Sequence, residues 1–218
     1  MPNYASRMWL RHGDGGLVKA LYGPNELTTM VEGQAVHIEE QTAFPFSDEV
    51  KLRFHCQTPV SFALYIRIPG WAVGASVRVN AGPSLEGIFP GEFFRLARTF
   101  RDGDVVTLHF PTMVKLSRWP GVGVAVERGP LVYALPVREH RSIDRSDPNQ
   151  SAEFPAWDMA AVSAWQYALD IDEATMDRVQ VPLTEPVDEP WTAANAPSRL
   201  RVPARQIEGW DIVECSEL

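Results

Sequence analysis

Val60-Ser61-Phe62-Ala63-Leu64-Tyr65-Ile66-Arg67-Ile68-Pro69-Gly70-Trp71 is the stretch whose reading decides the fold. Phe62, Leu64, Ile66 and Ile68 alternate with Ala63, Tyr65 and Arg67. A period of two sends one set of side chains to a core and the other to the opposite face of a strand. The strand then stops. Pro69 has no N–H to continue a ladder, Gly70 relaxes the backbone, and Trp71 must lie over something apolar.

The same alternation recurs on both sides of this stretch. Short strands are predicted over residues 17–22, 27–31, 36–40, 50–56, 75–80, 92–100 and 105–111. Turns fall at Gly23-Pro24-Asn25, Glu32-Gly33-Gln34, Thr58-Pro59, Pro90-Gly91 and the hairpin-type Arg101-Asp102-Gly103-Asp104. This spacing is that of an antiparallel sandwich. Residues 2–12 predict a helix, with Tyr4, Ala5, Met8 and Trp9 as an apolar stripe that lacks an obvious partner. Beyond Pro111 the segments shorten. Strands are predicted over 113–116, 122–126, 131–135, 164–169, 200–202 and 207–213, with a helical turn over 172–177. Residues 138–151 are polar and predict a long loop, and residues 182–197 are irregular and rich in Pro and acid. The fold class is all-β: two tandem antiparallel β-sandwich-like domains with a short N-terminal helix. The division is 1–15, 16–118 and 119–218.

Composition narrows the partners. The 218 residues are 45% hydrophobic and 22% charged, which suits a packed core. A net charge of −8 argues against nucleic acid and anionic membranes as partners. No run approaches the ~20 apolar residues of a membrane span. The first dozen residues hold no apolar secretory core, and the two distant cysteines, Cys56 and Cys215, suit a reduced compartment. Together they predict a cytoplasmic location.

Candidate chemistry is sparse. Glu39 and Glu40 are adjacent, so in a strand they point to opposite faces and cannot flank one sugar as a carboxylate pair. Both read as strand surface residues. His37 and His55 take outward positions and could be neighbours, but two imidazoles fall short of the three or four ligands of a zinc site. His109 reads as strand surface. His140, close in sequence to Glu139, Arg141 and Asp144, is a candidate sugar contact, weighed against an ordinary solvated loop. There is no G-x-S-x-G, P-loop, H-E-x-x-H or C-x-x-C. Gly121 and Gly123 bracket Val122 without the strand-to-helix turn that phosphate binding uses. Trp71, Trp119, Trp157, Trp165, Trp191 and Trp210 could stack on sugars, yet most flank Pro or Gly turns, where Trp plugs a sandwich end. Plugging is the favoured reading for each. Trp119, in Ser117-Arg118-Trp119-Pro120-Gly121, is the best candidate for a ligand wall.

Several stretches in order carry a resemblance. Residues 14–27, D-G-G-L-V-K-A-L-Y-G-P-N-E-L, resemble a phrase in which a strand "GLYVNLY" precedes a small-residue turn. Arg67-Ile68-Pro69-Gly70-Trp71-Ala72, followed by Val77-Arg78-Val79-Asn80, resembles that family's most recognisable core. Residues 92–106 are similar to its next hairpin. Val126-Glu127-Arg128-Gly129-Pro130-Leu131-Val132-Tyr133 resembles "QRGPLVYCLE", and Trp165-Gln166-Tyr167-Ala168-Leu169 resembles "W-N-Y-x-L". Residues 197–210 resemble its C-terminal strands. The family is glycoside hydrolase family 127, the β-L-arabinofuranosidase-like proteins labelled DUF1680.

The resemblance implies a catalytic (α/α)6 barrel ahead of the sandwiches, ending near a cysteine cluster of the C-C-P-P-N type. Met1-Pro2-Asn3 aligns with the end of that cluster, so residues 2–12 are expected to be the last barrel helix, left without its barrel. The resemblance also implies a thiolate nucleophile held at zinc, with an acid/base glutamate. None of those residues is carried over: no catalytic, cofactor or metal residue is assigned here, and zinc is expected only in the absent barrel. The expected role is a non-catalytic C-terminal β-sandwich region supporting a barrel in cis or on a separate chain, as the product of a truncated or split reading frame or as part of a two-chain enzyme. An exposed apolar face on residues 4–9 is expected, and it could drive homo-oligomerisation. The alternative is a stand-alone carbohydrate-binding module. A third reading, an independent hydrolase using Glu39 or Glu127 with an Asp, ranks last because nothing pairs those groups.

Overall fold

The computed structural model describes residues 2–120, 123–181, 190–192 and 195–210. Helix α1 is Pro2–Ala5. The strands are β1 Trp9–Arg11, β2 Leu17–Lys19, β3 Asn25–Val31, β4 Gln34–Thr42, β5 Glu49–Cys56, β6 Val60–Arg67, β7 Ser76–Val79, β8 Phe93–Phe100, β9 Val105–His109, β10 Val114–Trp119, β11 Gly123–Arg128, β12 Leu131–Tyr133, β13 Glu139–Ile143, β14 Trp157–Ala161, β15 Tyr167–Leu169 and β16 Ala204–Gln206. A 3-10 turn spans Glu173–Arg178. The protein is nearly all β. It divides into two compact units, Met1–Val114 with Glu127–Val132, and Lys115–Val126 with Tyr133–Leu218.

The first unit is built around β6. It lies inside the sheet β1-β2-β6-β8, antiparallel to β8 from Val60↔Phe100 to Arg67↔Phe93 and parallel to β2. A second sheet has the order β3-β4-β5-β9-β7. The inward residues of both sheets form one core, with Phe54, Leu64, Ile66, Phe100, Val106 and Leu108 fully buried. Phe100 stacks on Phe54 at 4.3 Å between centroids. Each such side chain contributes ~1.5–3 kcal/mol by leaving water. Past the end of β6, Ile68 and Ala72 remain buried, and Trp71 meets Phe110 edge-on at 6.2 Å. The stretch therefore closes the core as its alternation predicts. The β3–β4 hairpin turns on Glu32 (φ 49°) and Gly33 (φ 76°), the left-handed pair that a two-residue hairpin needs.

The N-terminus differs from expectation. The helix predicted over 2–12 is realised only at Pro2–Ala5, and from Trp9 the chain is strand, paired antiparallel with β2. Strand pairing satisfies backbone groups that a lone helix end would leave open, and it places Met8 in the buried set. Side chains lock it: Trp9 Nε1 donates to Asn25 Oδ1 at 2.8 Å, and Arg11 donates to the Met30 carbonyl at 2.6 Å.

The second unit holds short pieces. β13 and β14 form a two-stranded ribbon, as do β15 and β16. Strands β10, β11 and β12, whose residues are divided between the two units, form a three-stranded sheet. The loop predicted over 138–151 is corrected in part: Glu139–Ile143 is a strand, registered from Glu139↔Ala161 to Ile143↔Trp157. Its polar composition concealed an alternation of Glu139, Arg141 and Ile143 on one face. The final strands predicted at 200–202 and 207–213 are replaced by Ala204–Gln206, which pairs with Tyr167–Leu169, while Arg201 makes only a bridge to Gln180. Residues 211–213, 182–189, 193–194, Gly121, Val122, Cys215 and Met1 lie outside the described residues. Among the described residues no helix is long and apolar enough to cross a membrane.

Candidate functional site

Two polar clusters in the first unit are built by the register of β4. Val36, Ile38 and Glu40 face inward and His37 and Glu39 outward. Glu40 is therefore not the surface residue that its type suggests. Its side chain is fully enclosed and ion-paired with Lys19 of β2, itself fully enclosed. Glu40 also accepts from the Gly23 N–H at 3.1 Å and from Asn25 Nδ2. The Lys19 ammonium lies 4.5 Å from the centre of the Trp9 ring, a cation–π contact. Burial pulls Lys19 below the ordinary lysine range and pushes Glu40 above the ordinary carboxylate range, and each is opposed by the other's charge. An enclosed pair of this kind cannot reach a substrate. Its work is to tie β2, β4 and the β1 segment together.

The outward cluster is open to solvent. His37 and His55 are directly opposite across β4 and β5, with ring centroids 5.6 Å apart, so the two imidazoles are neighbours. Glu39 Oε1 lies 3.7 Å from His37 Nε2 and 3.3 Å from His55 Nε2. The other ring nitrogens are held from behind: His37 Nδ1 is 3.0 Å from Thr28 Oγ1, and His55 Nδ1 is 3.5 Å from Asp102 Oδ1. Thr28, His37, His55, Cys56 and Asp102 line an open depression. Period-two reading of β4 and β5 located both histidines. It could not supply Asp102, which arrives from the β8–β9 turn.

A second open groove includes Asp14, Gly16, Glu32, Ser61, Ala63, Arg95 and Thr99. Asp14 accepts from the Tyr65 hydroxyl at 2.6 Å and the Gly16 N–H at 2.9 Å, with His12 Nδ1 at 2.8 Å. These bonds, the tyrosine's first, hold its carboxyl well below the usual range.

The residues singled out as sugar contacts stand in the second unit. Trp119 ends β10, exposed, its Nε1 donating to Ser117 Oγ at 3.3 Å. His140 is on β13 opposite Ala160, exposed, in a strand rather than a loop. They belong to different sheets. Plugging holds for Trp71, which packs on the core. It does not describe Trp119, Trp157, Trp191 and Trp210, which are about half exposed or more. Glu127 is on β11.

The thiolate–zinc chemistry implied by the resemblance finds no fit among the described residues. Cys56 is buried, its Sγ 3.7 Å from the Phe100 carbonyl, and burial pushes its thiol up, the reverse of activation.

Residues 16–112, the span from the approach to β2 to just past β9, match the sequence profile of the beta-L-arabinofuranosidase, GH127 middle domain. This segment is similar to the GH127 middle domain. Solved structures agree in fold. A GH127 β-L-arabinofuranosidase from Geobacillus stearothermophilus T6 is 24% identical with a TM-score of 0.54, over 71% of this chain and 31% of that one. A GH127 β-arabinofuranosidase is 23% identical with a TM-score of 0.50, over 74% and 30%. A structure described as a glycoside hydrolase is 29% identical with a TM-score of 0.50, over 54% and 21%. The chain thus spans about a third or less of these structures. No curated protein matches the sequence. The matched span takes in Lys19, Glu40 and the outward cluster of His37, Glu39 and His55, while Asp14 lies just before it.

Proposed function

We propose that this chain is a non-catalytic β-sandwich region of a GH127-type β-L-arabinofuranosidase, serving to support an (α/α)6 catalytic barrel in cis or on a separate chain. The observation that carries the reading is the middle-domain match over residues 16–112. In this reading the nucleophile, the acid/base and the zinc belong to the barrel, and arabinose-containing glycans are its substrates. The second unit supports the same reading. Ile143, Trp157 and Met159 share one face of the β13–β14 ribbon and are all about half exposed or more. A two-stranded ribbon is marginal alone and gains stability when an apolar face is covered. A cytoplasmic location goes with the reading, on the free, buried Cys56. The test is co-purification of the chain with a separately expressed GH127 barrel. Co-elution with a raised melting temperature is expected, and independent elution at every concentration would overturn it.

A carbohydrate-binding module is the second reading, favoured by the exposed Trp119, Trp157, Trp191 and Trp210. Aromatic faces stack on the apolar faces of sugars. Retardation in affinity gels of arabinan or arabinogalactan, lost in Trp119→Ala, would support it. Unretarded migration in every gel would exclude it.

A further inference from the structure

The outer face of the sheet β1-β2-β6-β8 carries an open groove of about 530 Å3, a volume within the range of small-ligand clefts. We infer that this groove binds a neutral sugar through adjacent hydroxyls, as one residue of a glycan chain. Cross-strand register builds its floor. On β6 and β8, Ser61 stands opposite Thr99 and Ala63 opposite Ala97, so four small side chains meet on the face turned away from the core. Gly16 keeps one side of the floor low, since a Cβ there would stand 2.5 Å from the Ala63 carbonyl oxygen.

Charge decides the class of ligand. Asp14, Glu32 and Arg95 all line the groove. Asp14 is fixed by the Tyr65 hydroxyl at 2.6 Å and the Gly16 N–H at 2.9 Å. Arg95 is fixed on the same tyrosine, its Nε donating to the Tyr65 hydroxyl at 3.2 Å. The two terminal nitrogens of Arg95 make no hydrogen bond among the described residues, and Glu32 makes no hydrogen bond or ion pair among them. The Glu32 carboxylate nevertheless reaches the Asp14 turn, where its Oε1 would lie 3.6 Å from a Cβ on Gly15. An anion entering here is opposed by two carboxylates, and a cation by the guanidinium. A sugar hydroxyl both donates and accepts, so neighbouring hydroxyls engage a carboxylate and a guanidinium together. A zwitterionic amino acid meets the same charges but gains nothing from the Ser61 and Thr99 hydroxyls, which stand 2.7 Å apart on the floor. The Tyr65 ring offers no open stacking face, because His12 covers it at 4.1 Å between centroids. Recognition therefore rests on hydroxyls. Because the groove is open, a sugar can lie in it while still linked to its neighbours. Arabinose as the sugar rests on the function proposed above, whereas the chemistry of the groove does not.

The test is amide chemical-shift titration of the 15N-labelled full chain with methyl β-L-arabinofuranoside, and separately with galactose and with glycine. Saturable shifts are expected at Gly15, Gly16, Ala97 and Thr99 with the arabinofuranoside, and none with glycine. Arg95→Met and Glu32→Gln should each weaken binding about tenfold, and Trp119→Ala should leave it unchanged. Arg95 and Glu32 are exposed, so both variants should keep the wild-type melting temperature. The inference is overturned if neither sugar shifts those amides, if glycine shifts them as strongly, or if the double substitution Arg95→Met with Glu32→Gln binds like wild type. Shifts confined to the surroundings of Trp119 would also overturn it, while supporting a binding module in the second unit. Shifts at those amides with galactose alone would uphold the sugar site and overturn only the choice of arabinose. Independent elution of the barrel would leave a positive result here standing.

Discussion

Glu40 and Lys19 are the residues on which the first unit is most exposed to a single change. Both charges are out of water, and each is tolerable only because the other is there. Lys19→Met should cost ~3–5 kcal/mol in urea denaturation, because it strands the carboxylate. The double change Lys19→Met with Glu40→Leu should recover most of that loss, and simple addition of the two single losses would refute the pairing. Asp104 behaves differently. It is nearly buried, and burial alone would raise its pKa. Asn80 Nδ2 at 2.8 Å, the Arg101 N–H at 3.0 Å and the charges of Arg98 and Arg101 outweigh that and lower it. A lowered folded pKa means stability that is present above the unfolded value of ~3.9 and lost as pH falls through the folded one. Asp104→Asn should therefore cost ~1.5–3 kcal/mol at pH 7 and progressively less below pH 4. An equal cost at pH 7 and pH 2.5 would contradict this.

At the scale of elements, the parallel seam between β2 and β6 depends on Gly16. A Cβ there would stand 2.5 Å from the Ala63 carbonyl oxygen and 3.3 Å from the Tyr65 ring. Gly16→Ala should lower the urea midpoint by an amount equivalent to ~1–3 kcal/mol, since backbone must move to admit the methyl. An unchanged midpoint would show that the seam is softer than its geometry. The strands of this unit were legible because period-two alternation is local. Phe62, Leu64 and Ile66 are buried where the pattern places them. The same pattern placed Glu40 inward beside Val36 and Ile38, yet residue type argued for the surface. Only the partner, Lys19, 21 positions away, resolves that conflict. The helix expected over 2–12 failed for a related reason: Trp9 has a partner in Asn25 and Leu10 pairs with Val18, contacts that helical spacing cannot register. In the second unit the ribbon of β13 and β14 is exposed throughout, so no burial pattern announced it.

For the whole molecule, six ordered phrases carry the resemblance, and the profile match over residues 16–112 covers the first part of them. The candidate sites were less legible. His37 and His55 were visible as outward neighbours, whereas Glu39 as their common partner and Asp102 as an anchor depend on register and on a distant turn. Trp119 and His140 are exposed, as a sugar contact requires, but they stand on separate sheets. Under the proposed function this chain supports glycoside hydrolysis without performing it. The most direct measurement is release of chromophore from a β-L-arabinofuranoside by the purified chain alone, followed to high enzyme concentration. The account predicts no rate above the uncatalysed background. A rate that rises in proportion to chain concentration would contradict it.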